Sequence, residues 1–370
     1  SRRPTSPAER RQKLIAAERA TETFGRGGRH RVALGFANSY EIGMSNLGFQ
    51  WVYRLFNREE DLSCERFFFD ADDLERRGPR TLESETPIAA FPLVAFSVSW
   101  EMDYVNFLRL LPAARIPLGR KDRGEDDPIV LVGGDCARIN PLPLTPYVDA
   151  FAMGDGEKLV PGIAEVLRAA LPRRRALERL AALKGLYVPE VHGERAEAAD
   201  SGKVVVDQFR ASEGATREPP HSTILTPHTE LSDKLLVEVA RGCSEMCRFC
   251  WAAYAMAPQV RIPASSILAV AERCRPLTSR IGLIATAVAD HPEILPILNG
   301  LSGLGFHIAL SSIKIDALSE ELLAILARQG EKSLAIAPEA GNERLRRAIN
   351  KKVSDEMLRE KVRLIARAGF

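Results

Sequence analysis

Short apolar runs alternate with helix-length amphipathic stretches along most of the chain. Residues 31–36 form the first run, and a helix is predicted over about 43–56. Further runs at 93–98, 129–132 and 148–153 predict strands, with a helix over 104–111. Continuous apolar runs of this length suit strands buried on both faces. Their alternation with helices predicts a doubly wound parallel sheet, Rossmann-like in plan.

A second series starts with a strand at 235–239 and continues with strands at about 281–285, 307–311 and 333–337. Helices are predicted between them at about 264–275, 291–303 and 318–328. Four strand–helix units predict a partial β/α barrel, whose chemistry lies at the carboxyl ends of its strands. Residues 1–29 read as a basic, polar, partly helical arm. Residues 176–233 hold several prolines and glycines and a strand-like 203–206, and read as a connector with a small strand pair. The expected organisation is an arm at 1–29, a Rossmann-like domain at 30–175, a connector at 176–233 and a barrel domain at 234–370. The fold class is α/β. The chain starts at Ser1 and stops at Phe370 in a helix-like run, so it reads as a fragment whose barrel is cut short.

In doubly wound sheets, ligands sit beyond the carboxyl ends of the strands. Ser97 and Ser99 follow one strand, Gly133-Gly134 the next, and Gly154-Asp155-Gly156-Glu157 the last. Such turns let a backbone approach a flat or phosphate-bearing ligand, and they also make ordinary tight strand-to-helix turns.

At 370 residues with 45% hydrophobic and 27% charged residues, the chain suits two globular domains. No apolar run approaches the roughly 20 residues of a membrane helix, and no signal region opens the chain, so a cytoplasmic location is expected. The net charge of +2 gives no global pull toward nucleic acid. Basic residues cluster in the amino-terminal arm and at Arg173-Arg174-Arg175. These read as solvated segments, with RNA contact as the alternative.

Six cysteines, three of them clustered, argue against a disulfide framework. Cys64, Cys136 and Cys274 stand alone and are expected to pack as small apolar side chains. Cys243, Cys247 and Cys250 form Cys-x3-Cys-x2-Cys, with Phe249 before the last. Structural zinc wants four closed ligands, and no further Cys or His lies inside or just after this loop. An electron-carrier cluster would also need a fourth thiolate. Three thiolates instead suit a cubic cluster with one iron open to substrate.

This spacing, with its aromatic residue, resembles the radical S-adenosylmethionine (SAM) superfamily. The resemblance implies a 4Fe–4S cluster on Cys243, Cys247 and Cys250 and SAM on its open iron. It also implies reductive cleavage to a 5′-deoxyadenosyl radical, and an electron donor such as flavodoxin or ferredoxin. Phe249 would lie against the adenine. Glu339, within Ala337-Pro338-Glu339-Ala340-Gly341, resembles the strand-end glutamate of cobalamin-linked radical enzymes, and Asn350-Lys351 resembles the pair that follows it. The usual Gly-Gly-Glu is missing, and Thr286 stands in its place for the SAM amine. Ser311, Ser312 and Lys314 could reach the carboxylate.

The first domain resembles cobalamin-binding domains joined to such barrels. The implied cobalamin-lining residues are Ser97, Ser99, Gly133, Gly134, Gly154, Gly156 and Glu157. Tyr40 occupies the histidine position of the older Asp-x-His-x-x-Gly motif, so histidine cannot ligate cobalt there. The resemblance spans about residues 30–370 and points to a bacterial family of two-domain, cobalamin-type radical SAM proteins. It implies methyl transfer to an unreactive carbon as the reaction. Methylthiolation of transfer RNA is the alternative, although only Cys64 and Cys136 are available for a second cluster. A metal-binding structural protein or electron relay is a third reading.

Overall fold

Six strands form the sheet that organises the first part of the molecule. The computed structural model describes residues 6–25, 27–193, 206–216, 218–311, 313–330 and 332–370. The chain divides into one unit of Ser1–Gln208 with Thr223–Ser232 and another of Phe209–Ser222 with Asp233–Phe370.

The first unit opens with α1 (Pro7–Ala17), capped by Ser6 and Glu9 in a reciprocal box, and the short β1 (Arg19–Ala20). Then follow β2 (His30–Phe36), α2 (Tyr40–Ser45), α3 (Leu47–Arg58), β3 (Leu62–Phe68) and α4 (Ala71–Arg77). The series continues through β4 (Leu93–Ser97), α5 (Tyr104–Ala113), β5 (Ile129–Gly133) and α6 (Asp135–Ile139). It closes with β6 (Ala150–Ala152), α7 (Gly156–Arg168), α8 (Arg173–Ala181), β7 (Leu186–Tyr187), α9 (Pro189–His192) and β8 (Ile224–Leu225). The sheet order is β3-β2-β4-β5-β6-β7. All pairs are parallel except β6 with β7.

Side chains alternate across the sheet with period two, so each face owns a core. Val32, Leu34, Leu93, Ala95 and Leu131 pack on one side with Phe49, Phe56, Leu159 and Ile163 from α3 and α7. Ala33, Val94, Phe96, Val130 and Val132 pack on the other with Phe107, Leu110 and Leu111 from α5. Each fully buried Leu or Phe contributes about 1.5–3 kcal/mol. This two-sided burial is why the strands read as unbroken apolar runs.

Three details differ from the sequence expectation. The edge strand β3 reads Leu-Ser-Cys-Glu-Arg-Phe-Phe, and its charged pair hides it from a hydrophobicity reading. Arg66 is buried because Glu18 (2.8 Å) and Glu83 (2.7 Å) neutralise it, and Glu65 accepts from Thr81 at 2.6 Å. The predicted helix over 43–56 is two helices. Asn46 leaves helical geometry between them (φ −89°, ψ 112°), and its side chain caps the Phe49 amide at 2.8 Å. Within the expected connector, α8 and β7 belong to the first unit, and residues 209–222 belong to the second. The strand pair that forms is β1 with β8, Arg19 opposite Leu225. Residues 203–205 of the expected strand lie outside the described residues.

The second unit begins with β9 (Leu235–Glu238), β10 (Ala240–Arg241), α10 (Ala252–Ala255), β11 (Val260–Arg261) and α11 (Ala264–Cys274). It continues with β12 (Arg280–Ile284), α12 (Ile294–Gly303), β13 (His307–Leu310), α13 (Glu320–Arg328), α14 (Glu343–Ala348) and α15 (Asp355–Arg367). Its parallel sheet has three strands in the order β13-β12-β9. The fourth expected strand, 333–337, joins no ladder among the described residues. Its residues alternate between exposed and half-buried, and only Leu334 and Ile336 are large and apolar there. Among the described residues no helix is long and apolar enough to cross a membrane.

Candidate metal centre

The cysteine loop leaves the carboxyl end of β9, and the antiparallel pairing of β10 with β11 closes its base. Arg241 grips Glu238 in a two-pronged ion pair at 2.8 and 2.7 Å, fixing the last turn before the loop. Gly242 then adopts φ 80°, and a Cβ there would lie 2.1 Å from the Met256 carbonyl oxygen. Only glycine fits. The Thr286 hydroxyl, from the end of β12, donates to the Gly242 carbonyl at 2.6 Å.

Beyond this anchor, Cys247 is buried, and Cys243 and Cys250 are half-buried. None of the three is in a disulfide. The Cys250 amide donates to the Cys247 carbonyl at 3.1 Å, tightening the turn. Burial pushes the Cys247 thiol up, against the opposing pull of the Lys351 charge. A sulfur so placed ionises when a cation sits against it.

The carboxyl end of α14 holds the other side of the loop. The Asn350 amide donates to the carbonyls of Met246 (2.8 Å) and Glu245 (3.2 Å). The Arg248 backbone donates to Ile349 at 2.9 Å, and its guanidinium to Ala348 at 2.7 Å. Carbonyls orphaned at a helix end are thus satisfied by the loop. Met246 (φ 53°) and Asn350 (φ 57°) both take the left-handed conformation, which asparagine tolerates better than most residues.

Lys314, beyond β13, is a hub for three carboxylates: Asp290 at 2.7 Å, Glu245 at 2.9 Å and Asp316 at 3.3 Å. Burial works against its charge, but Asp290 and Glu245 outweigh it, so its pKa is raised. The hydrogen bond from Lys314 holds the Glu245 carboxyl below its usual range. Lys352 adds a second cation 3.5 Å from Glu245.

The other expected SAM residues fall as follows. Thr286 and Lys314 contact the cysteine loop, with the Thr286 proton directed to Gly242 and the Lys314 ammonium to carboxylates. Ser311 lies at the end of β13, its hydroxyl 3.3 Å from the Ala285 carbonyl of the neighbouring strand end. Phe249 is 52% exposed beside Trp251 and Tyr254, also exposed. Glu339 is exposed at φ 66°, with Lys351 3.6 Å away. Ser312 lies outside the described residues. Sequence reasoning missed Glu245 and Asp290 as partners of Lys314, since nothing local links residues so far apart, and it passed over Asp316 two positions away. The exposed Trp251 and Tyr254 were legible as aromatics close behind the last cysteine.

In the first unit, the strand-end residues line the carboxyl edge of the sheet. Ser97 is buried at the end of β4, and Ser99 accepts from the Asn46 amide at 3.2 Å. Gly133 ends β5. Gly134 adopts φ 96°, and a Cβ there would lie 2.6 Å from the Val98 carbonyl oxygen. Gly154 bridges to Asp207, and Gly156 and Glu157 open α7. Tyr40 is buried, donates to Glu18 at 2.7 Å and packs edge-on to Phe68. Several apolar side chains at this edge stay exposed: Trp100 (62%), Met102 (65%) and Val105 (61%) after β4, and Ile139 and Leu142 after β5. Sequence reasoning missed these. Their signal was apolar residues placed just beyond a strand rather than within it.

Comparison with known proteins bears on both units. Residues 237–370 match the family described as Radical SAM superfamily, and residues 48–189 match Radical SAM proteins, N-terminal. The chain is 25% identical over 342 residues to the uncharacterized protein MJ0966 of Methanocaldococcus jannaschii, covering 91% of this chain and 67% of that protein. Its fold resembles that of the cobalamin-dependent S-adenosylmethionine radical enzyme OxsB, solved with aqua-cobalamin bound. The TM-score is 0.65 at 14% identity over 92% of this chain. The chain spans about half, 48%, of that protein's chain, and at this identity the likeness is one of fold.

Proposed function

This chain belongs to the radical SAM superfamily, and we propose that it is an enzyme that holds a 4Fe–4S cluster on Cys243, Cys247 and Cys250 and cleaves SAM reductively. The observation that carries the reading is the donor set: three thiols on one loop, gripped from both sides by Thr286 and Asn350. Among the described residues, no three Cys, His, Asp or Glu side chains gather as ligands of a single ion. Three thiolates leave tetrahedral zinc one ligand short, whereas they supply one each to three irons of a cubic cluster with the fourth iron open. When bound, the cluster supplies the electron that breaks a carbon–sulfur bond of SAM.

The protein's own residues orient and enclose. Thr286, Asn350 and Lys314 fix the loop. Phe249, Trp251 and Tyr254 give it an apolar rim that suits an adenine face and excludes water. Ser311 and Glu339 offer polar groups for the ribose and amino-acid part of SAM. A flavodoxin- or ferredoxin-type donor would supply the electron.

For the first unit we propose cobalamin binding at the carboxyl edge of the sheet, over the turns of Ser97, Ser99, Gly133, Gly134, Gly154, Gly156 and Glu157. The exposed Trp100, Met102 and Val105 favour a broad, partly apolar ligand. Tyr40 is committed to Glu18 and offers cobalt no ligand. Methyl transfer to an unreactive carbon is the reaction proposed for the loaded enzyme. Methylthiolation is less favoured, because Cys64 on β3 and Cys136 on α6 are each buried in a core.

Anaerobic reconstitution tests the reading. The protein should take up about four irons per chain and release 5′-deoxyadenosine from SAM on reduction. Cys247→Ala should abolish that release while the first unit keeps its proteolytic resistance. Undiminished release from that variant would end the proposal. A visible-spectrum titration with aquacobalamin tests the first unit separately.

A further inference from the structure

We propose that the first unit carries a second ligand site, for a small phosphorylated organic molecule, at the opposite edge of its sheet from the glycine turns. The site is a cavity of about 610 Å³, a size typical of small-molecule pockets. Its walls are the segment before β5, the first turn of α8 and the stretch after the antiparallel β7. All three lie at the amino ends of the parallel strands.

Five cations line it: Arg120, Lys121, Arg123, Arg173 and Arg174. Glu125 and Glu190 lie in the same lining, Asp149 pairs with Arg123 and Arg173, and Glu178 lies 3.6 Å from Arg174, so the five cations still outnumber the carboxylates around them. Two of the guanidiniums serve the fold. Arg123 is fully buried and bonds Asp149 (2.8 Å) and the carbonyls of Tyr147 (2.7 Å), Pro117 (3.0 Å) and Leu118 (3.1 Å). Arg120 bonds the Thr145 carbonyl at 2.9 Å.

Arg173 is different. Its side chain is only 9% exposed, and its Nη2 lies 2.6 Å from Asp149, out of hydrogen-bond alignment. Its Nε is buried with no hydrogen-bond partner among the described residues. Asp149 must already serve Arg123 and the Val130 amide, so one carboxylate is shared by two guanidiniums. Burial lowers the Arg123 pKa, and the Arg173 charge adds to that despite Asp149. A buried donor left unpaired beside excess positive charge is costly, and an anion would satisfy both. Guanidinium forks match phosphate oxygens, and the exposed Lys121 and Arg174 add charge at the rim.

An adjoining cleft of about 450 Å³ shares Arg173 and Glu125 and is lined by Ile129, Ile163, Val166 and Leu171. It gives an organic body a place beside the phosphate, which favours a nucleoside phosphate over bare phosphate. The buried position of Arg173 suits a ligand that enters a hollow better than an RNA strand lying across a surface.

Calorimetry on the full chain tests this with three probes: ADP, pyrophosphate and a short single-stranded RNA. ADP should bind, pyrophosphate more weakly, and RNA least. The double variant Lys121→Gln, Arg174→Gln alters only exposed positions and should weaken ADP about tenfold. Cys247→Ala should leave ADP binding unchanged, so this proposal stands or falls apart from the cluster. No ADP binding up to about 5 mM, equal affinity in the double variant, tighter binding of RNA, or loss of binding in Cys247→Ala would each overturn it.

Discussion

Asn350 reaches across to the cysteine loop and donates its side-chain amide to the Met246 carbonyl at 2.8 Å. Residues far apart in sequence thereby set the shape of a loop with only six residues between its outer cysteines. Replacing Asn350 by Gly keeps the left-handed backbone and removes only the side chain. Asn350→Gly should cost about 1–2 kcal/mol and lower the iron retained after anaerobic desalting. Asn350→Ala should lose more, since alanine resists φ 57°. Full iron and an unchanged unfolding midpoint in the Gly variant would show that the clasp is dispensable.

Gly242→Ala should be among the most damaging single changes in the second unit. The new Cβ would meet backbone, the Met256 carbonyl at 2.1 Å, and no side chain can rotate out of its way. The expected loss is at least about 2 kcal/mol, with iron uptake reduced in parallel. Iron-loading titrations and denaturant unfolding together check it. Wild-type values in both would mean the loop has another low-energy path.

Asp149→Ala should destabilise the first unit by about 3–5 kcal/mol. It strands the Arg123 and Arg173 guanidiniums, whose side chains are 0% and 9% exposed. Urea unfolding followed by Trp fluorescence measures the shift. A change under about 1 kcal/mol would mean that water replaces the carboxylate.

The second unit should lose stability in mild acid through His291. Burial lowers its pKa below the ordinary value. Nε2 donates to the Ile262 carbonyl at 2.9 Å, and Nδ1 accepts the Glu293 amide at 3.1 Å, leaving no room for a second proton. The folded state therefore binds fewer protons than the unfolded one. Stability is full above about pH 6.5 and falls as the pH drops from there toward the folded pKa, with a slope of at most about 1.4 kcal/mol per pH unit. His291→Gln should flatten that slope, as read from urea midpoints between about pH 5 and 8. Identical slopes in the two proteins would assign the acid sensitivity elsewhere.

Much of the fold was legible because burial on both faces leaves a local mark. Strands β2, β4 and β5 read directly as apolar runs. The edge strand β3 did not, since Arg66 and Glu65 are buried only by virtue of partners such as Glu18, Glu83 and Thr81. The opposite error came at 333–337, where a short apolar run in the strand–helix repetition predicted a strand that joins no ladder among the described residues. Pattern reports what a segment could bury, and pairing depends on what lies beside it.

At the metal centre the division is the same. The sequence by itself determined the donor set, because three thiols within one short loop must be neighbours whatever else the chain does. It also determined the strand that delivers them and the glycine before the first cysteine. Only the tertiary structure decided that Lys314 meets Asp290 and Glu245, that Thr286 holds Gly242, and that Asn350 closes over Met246. Polar side chains carry no periodic signature of their partners. Their roles are fixed only when packing of the apolar faces brings distant strand ends and a helix terminus to one edge.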